Sequence, residues 1–284
     1  MKKLLLLLCL MFVSRSLFSQ AGYNFQLWKA PPGHTTMTFV GINDSGRIVG
    51  GYSGKSGVIG YGGYVVIAPG GFTRCITNTN VLAGEITREP WRGGQEGFFR
   101  FPTGITGYFT IPGTLGGVEG VHVNSKLHKV GYYRELVHND HFHGFADLGK
   151  GFVNIDYPGA TRTFCTDIND SDLIVGSWDT GDSTPVHGFV LDHGSFTQID
   201  VPFSGAVFTV VYGVSNDGKM VGTWSDSSFN GQGFALINGA FARITVPNSL
   251  VTSPVDINNQ GVIVGFTFIK GNSDPFGLVA APIK

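Results

Sequence analysis

Cysteine is scarce in this chain: three residues in 284, of which Cys9 falls in an apolar N-terminal stretch, leaving Cys75 and Cys165. No framework of disulfides can therefore stand in for a hydrophobic core. The two remaining thiols lie two repeats apart at different offsets before the turns described below, which argues for buried free thiols over a pair. Charge is scarce too, at 14% of residues, and no Lys/Arg stripe exists, which excludes a nucleic-acid interface. No apolar segment repeats with the 3.6-residue period of a helix. Catalytic signatures are missing as well: there is no GxSxG, HExxH, phosphate-cradling glycine loop or paired-glutamate motif. Ser215-Asn216-Asp217-Gly218 only imitates a sialidase Asp box, because its Asp and Gly are adjacent.

What is plentiful is glycine, 43 residues, and aromatic side chains, 13% of the total. That composition reads as an all-β protein with many turns. The chain opens with Lys2 and Lys3, an apolar run over 4–13, and small residues at Ser19 and Ala21. Residues 1–20 thus read as a secretory signal peptide, too short in its apolar part to anchor a membrane. Residues 21–284 are then an exported domain of net charge −4, extracellular or in the periplasm or cell envelope, with no integral membrane segment left.

The strongest signal is a segment written six times: a β-branched residue, an Asn-rich turn, two small apolar residues and a glycine. The copies are 42–50 (INDSGRIVG), 76–84 (ITNTNVLAG), 123–131 (VNSKLHKVG), 168–176 (INDSDLIVG), 214–222 (VSNDGKMVG) and 257–265 (INNQGVIVG). A period in the forties marks a propeller or a related array. In the clearest copy, strands are expected over 208–214, 219–224, 233–237 and 241–246, the last stopped by Pro247. Four short strands per repeat match one blade. The sixth copy lacks a fourth strand, and 23–31 (YNFQLWKAP) resembles 195–202 (SFTQIDVP). The N-terminal strand is therefore expected to complete the last blade and remove an open edge. The first interval is about ten residues short, so the reading is a six-bladed β-propeller with one blade thinned to three strands; a five-bladed ring is the alternative.

The order of an INDSG-like turn, IVG, HGF and a strand ending in Pro resembles the extracellular HAF-type repeat family. It is carried by 42–50, 168–176, His143-Gly144-Phe145 and His187-Gly188-Phe189. The resemblance implies an exported propeller-like protein and no established activity. It departs from the pattern where His becomes Glu96 or Gln232.

Residues that change between copies are freer to serve a ligand than those that recur. The recurring aromatics Tyr52, Tyr133, Trp178 and Trp224 are read as packing between blades, and Asn43, Asn124, Asn169 and Asn258 as turn formers. The position before each β-branched residue varies: Gly41, Cys75, His122, Asp167, Gly213 and Asp256. If first strands are innermost, these ring the channel, and His122, Asp167 and Asp256 become candidates for acid–base work or a divalent metal; solvated, hydrogen-bonded channel liners are the alternative. His138, His141 and His143 in HNDHFHGF are candidate zinc or copper ligands, since H-x-H on a strand shares one face. Apart from such a metal, no cofactor is implied. Trp91 and Arg92 stand outside the repeat and are the candidate ligand-binding pair.

These readings converge on an exported scaffold whose variable loops bind a glycan or a protein at one face of the ring. A hydrolase or lyase at the channel mouth and a purely structural envelope or matrix protein are the competing classes.

Overall fold

The computed structural model describes residues 17–20, 22–52, 55–60, 63–68, 71–87, 94–111, 114, 117–135, 141–182 and 185–283. Among them there is no helix, and 25 strands follow one another. After β1 (Leu17–Gln20) and β2 (Tyr23–Trp28) come six antiparallel units. The first is β3 (Thr38–Ile42), β4 (Ile48–Tyr52), β5 (Lys55–Gly60) and β6 (Gly63–Ala68). The second is β7 (Gly71–Ile76), β8 (Leu82–Ile86), β9 (Glu96–Arg100) and β10 (Thr106–Phe109). The third is β11 (Glu119–Val123), β12 (Lys129–Arg134), β13 (Phe142–Asp147) and β14 (Phe152–Ile155).

The fourth holds β15 (Arg162–Ile168), β16 (Ile174–Asp179), β17 (His187–Asp192) and β18 (Ser195–Ile199). It joins the third in one sheet through a single parallel pair, Phe142 with Arg162. The fifth is β19 (Phe208–Val214), β20 (Met220–Ser225), β21 (Gly231–Ile237) and β22 (Ala240–Ile244). The sixth has β23 (Ser249–Ile257), β24 (Ile263–Ile269) and β25 (Phe276–Pro282), and β2 supplies its fourth strand, with Phe25 opposite Ala280 and Leu27 opposite Leu278. The expected closure by the N-terminal strand is thus present. β1, inside the segment read as a leader, pairs with the far side of β2.

One expectation needs correction: the first unit is not thinned to three strands. It keeps four, and 71–76 opens the second unit. The missing length comes from the connections, since only two residues separate β4 from β5, β5 from β6 and β6 from β7. Trimming a loop costs little, whereas deleting a strand would leave an edge of unpaired backbone groups.

The six first strands touch in cyclic order, β3 to β7 to β11 to β15 to β19 to β23 and back to β3. The ring closes through side chains and turns, not through a continuous sheet. Each first strand carries a bulge just before the varying position, as the register shifts at Phe39/Gly41, Thr73/Cys75, Glu119/His122, Cys165/Asp167, Val211/Gly213 and Pro254/Asp256 record. The bulge explains the closing glycine. A methyl group on Gly50, Gly84, Gly131, Gly176, Gly222 or Gly265 would be driven into the carbonyl oxygen of Thr38, Phe72, Glu119, Phe164, Val210 or Ser253 on the partner strand, so only glycine fits.

The Phe of the HGF element is core, with Phe145, Phe189, Phe234 and Phe98 all buried. Its glycine lets the neighbouring unit approach: a Cβ on Gly144 would meet Cys165 Sγ, and one on Gly188 would meet Val211 Cγ2. The recurring aromatics also pack as expected. Trp178 lies between Tyr157 (4.2 Å between centroids) and His187 (4.8 Å), and Trp224 between Phe203 (5.1 Å) and the Arg243 guanidinium (4.9 Å). Trp224 is buried and Trp178 half-buried among these neighbours, so both serve packing.

Candidate functional site

The first strands set two chemically different ends of one channel. At the end of the 1–2 turns, each Asn does two jobs. Its Oδ1 caps its own turn, accepting the N–H of Arg47, His128, Leu173 or Val262 at 3.0–3.1 Å. Its Nδ2 donates to a backbone carbonyl of the next unit: Asn43 to Thr77, Asn124 to Asn169, Asn169 to Ser215 and Asn258 to Asn43, at 3.0–3.1 Å. Turn chemistry alone accounts for the first job; the second, a staple between units, was missed in the sequence. The signal for it was there, because the Asn recurs at the ring-forming interval. A second girdle lies one residue on, where Asp44 accepts from both Asn78 and Asn259, and Asp170 from Ser125 and Asn216.

Of the varying positions, Cys75, Asp167 and Asp256 line the cavity just below this rim. Asp256 Oδ2 accepts Ile42 N–H of the next unit at 2.8 Å and Oδ1 its own Ile257 N–H at 2.7 Å. Asp167 repeats the pattern with Val214 N–H (2.8 Å) and Ile168 N–H (2.8 Å), and Cys75 Sγ takes Val123 N–H at 3.3 Å. Each Asp follows a unit whose own varying residue is Gly213 or His122, neither of which carries a carboxylate for the next N–H, so its second oxygen serves that group instead. His122 Nδ1 sits 3.0 Å from Asp167 Oδ1. Burial and the nearby Asp167 charge push the Asp256 carboxyl well above the usual range. Burial likewise pushes both Cys75 and Cys165 thiols up, and both are free.

The cavity at this end holds about 60 Å3, room for a few waters and far below the ~300 Å3 at which small-molecule sites begin. His122, Asp167 and Asp256 are thus gathered as a clamp between units.

The opposite end, where first strands begin and second strands pass to third strands, differs. Alternation along β15 and β19 buries Thr163, Cys165, Thr209 and Val211 between sheets and leaves Phe164, Thr166, Val210 and Tyr212 half-buried toward the channel. β7 contributes exposed Phe72 and half-buried Arg74, whose guanidinium lies 5.6 Å from the Phe72 ring centroid. Arg74 Nε donates to Glu85 Oε1 at 2.6 Å. Glu85 is 1% exposed, and its Oε2 is buried without a hydrogen-bond partner among the described residues.

From the third unit comes Tyr132, whose ring lies against Gly120, a residue at φ +61° with no side chain to obstruct it. The ring meets Phe164 at 5.0 Å, and Phe164 meets Phe142 at 5.1 Å. Arg134 caps Phe142 from outside. Burial, and then the Glu119 charge, push the Tyr132 hydroxyl up to about 12. Arg74, Glu85 and Tyr212 also act on it electrostatically. Sequence reasoning overlooked this mouth, since its residues come from four units and share no motif.

The other predicted residues fare differently. Trp91 and Arg92 lie outside the described residues, in the segment joining β8 to β9, and so does His138. His141 and His143 both flank Glu135, with nitrogen-to-Oε2 distances of 3.8 and 3.9 Å. His143 Nδ1 sits 2.9 Å from Asp156 Oδ1, matched by His187 and Asp200 at 2.9 Å in the next unit. This pairing belongs to the repeat. No group of three His, Cys, Asp or Glu among the described residues is placed to hold a metal.

Solved structures share the architecture. A virginiamycin B lyase from Staphylococcus aureus superposes with a TM-score of 0.53 at 10% identity, over 92% of this chain and 100% of that one. TolB from Acinetobacter baumannii gives 0.54 at 14% identity, over 88% of this chain and 64% of that one. The fold is a β-propeller. No protein-family model matches the chain, and no curated protein matches it in sequence. Among the described residues no helix is long and apolar enough to cross a membrane.

Proposed function

We propose that this propeller is an exported binding module of the HAF-type repeat kind, delivered by the leader at residues 1–20, that takes a glycan at the mouth built by Phe72, Arg74, Glu119, Tyr132, Phe164 and Tyr212. One observation carries the reading: the mouth presents aromatic rings beside polar ends that the fold does not use. Tyr132 and Tyr212 hydroxyls and the Glu119 carboxylate make no hydrogen bond among the described residues, and Tyr212 has no aromatic partner there. Aromatic faces with a few convergent polar groups are what a sugar ring requires. The repeat supports the family reading, since Asn staples, closing glycines and HGF contacts all serve packing between units.

A hydrolase at the channel using His122, Asp167 and Asp256 is less well supported: every carboxylate oxygen of the two Asp residues already accepts a backbone N–H, and the cavity beside them is small. The test is a glycan array with residues 21–284, the Tyr212→Ala variant and Trp91→Ala. The reading expects a signal that Tyr212→Ala abolishes with its melting temperature intact. Silence across all glycans would favour a purely structural envelope or matrix protein instead.

A further inference from the structure

β19 carries an uncharged stripe. Strand alternation sets Phe208, Val210 and Tyr212 on one face, all half-buried, while Thr209 and Val211 between them are buried on the other. Phe208 opens the strand at the mouth end, and Tyr212 lies four residues deeper, about 13 Å away at roughly 3.3 Å per residue. Phe229, in the join between β20 and β21 at the same end, stacks on Phe208 with ring centroids 5.2 Å apart and planes 19° from parallel. The stripe therefore runs on past the strand, onto a ring that is 74% exposed.

The local backbone holds that ring out. Phe229 has φ +59°, a left-handed conformation unfavourable for a bulky side chain, and its N–H donates to the Asp226 carbonyl at 3.0 Å. Asp226 Oδ1 accepts the N–H groups of Ser228 at 2.8 Å and Asn230 at 3.1 Å, and Oδ2 accepts Asn230 Nδ2–H at 3.0 Å. A turn closed by hydrogen bonds thus pins an aromatic residue in a strained conformation that Gly or Asn would adopt readily. Burial does not offset the strain, since most of the ring faces solvent. Strain of this kind persists at ligand clamps.

The chemistry of the stripe sets what fits it. None of Phe208, Val210, Tyr212 and Phe229 is charged, so affinity must come from flat apolar contact and not from ion pairs. A pyranose whose hydroxyls are all equatorial offers C–H faces on both sides. β-Linkage joins such rings into a straight, flat ribbon, whereas α-linkage coils the chain and turns the faces away. Resting on the glycan reading above, we infer that the ligand is an extended β-linked chain of neutral, all-equatorial hexopyranoses, with one end at Tyr212 and its length along β19 to Phe229. The track, about 13 Å of strand plus one stacked ring, takes on the order of four sugar rings.

The test is calorimetric titration of the 21–284 protein with cellobiose, cellotetraose, cellohexaose and the α-linked maltohexaose. Cellotetraose is expected to bind about tenfold more tightly than cellobiose, cellohexaose no better than cellotetraose, and maltohexaose no better than cellobiose. Phe229→Asn, which relieves the strained backbone, is expected to leave cellobiose binding unchanged and to bring cellotetraose down to it; Phe229→Tyr keeps the full gain. The unchanged cellobiose affinity shows that the variant is folded. Equal binding of two and four rings, an undiminished gain in Phe229→Asn, or maltohexaose binding as tightly as cellohexaose overturns the inference and leaves the glycan reading standing. Silence with all four sugars overturns it too, and the glycan array then decides the broader reading by itself.

Discussion

The Asp256 carboxylate accepts the backbone N–H of Ile42 at 2.8 Å, joining residues 214 positions apart and the sixth unit to the first. The same bond recurs between Asp167 and Val214, so ring closure repeats an ordinary contact between neighbours.

Asp256 makes stability depend on pH in a direction opposite to most paired carboxylates. Its pKa is raised in the fold, so the folded state holds the proton longer than the unfolded chain, and stability falls as pH climbs from the ordinary Asp value toward the raised one. Asp256→Asn, which cannot titrate, is expected to flatten that part of the profile. Urea midpoints of both proteins between pH 3 and 8 provide the check, and parallel curves would contradict it.

The two jobs of the stapling Asn can be separated. Asn258→Ala removes both hydrogen bonds and strands two buried backbone groups, for about 2 to 4 kcal/mol. Asn258→Ser copies position 215, where Oγ already caps the turn by accepting Lys219 N–H at 2.9 Å. It loses only the donor to Asn43 and should cost about half as much. Equal losses in denaturant titrations would mean that the staple contributes nothing.

Closing glycines resist even one carbon. Gly222→Ala pushes a methyl group into the Val210 carbonyl and is expected to cost about 3 kcal/mol or to prevent folding. Gly231→Ala, whose nearest neighbour lies at 3.8 Å, is expected to stay within about 0.5 kcal/mol of the parent. Thermal melts of the two variants decide it.

Both remaining thiols should be silent in the native state. Cys75 and Cys165 are buried, and burial disfavours the thiolate that reacts. A thiol reagent should modify neither until the chain unfolds, and then both, at the unfolding rate.

How much of this was legible in the sequence depends on how many copies wrote it. The ring, the β2–β25 closure, the packing of Trp178 and the convergence of Asp167 on His122 all follow from features repeated in register, where period and position carry geometry. The fourth strand of the first unit was hidden because the counting rested on loop lengths, which a fold tolerates losing. The mouth was hidden for a deeper reason. Arg74, Glu119, Tyr132 and Tyr212 occur once each and reach one place only through a bulge and the bare backbone at Gly120, and no local pattern records either.

The account stands on a ring fastened by its own two ends. Asn24 and Ala281 face each other across β2 and β25, and Asn24 is exposed, so an Asn24→Cys/Ala281→Cys variant tests the closure directly by mass spectrometry under mild oxidation. The expected result is a monomer two hydrogens lighter with a raised melting temperature, Cys75 and Cys165 remaining reduced. Free thiols at both positions, or disulfide-linked dimers alone, would contradict it.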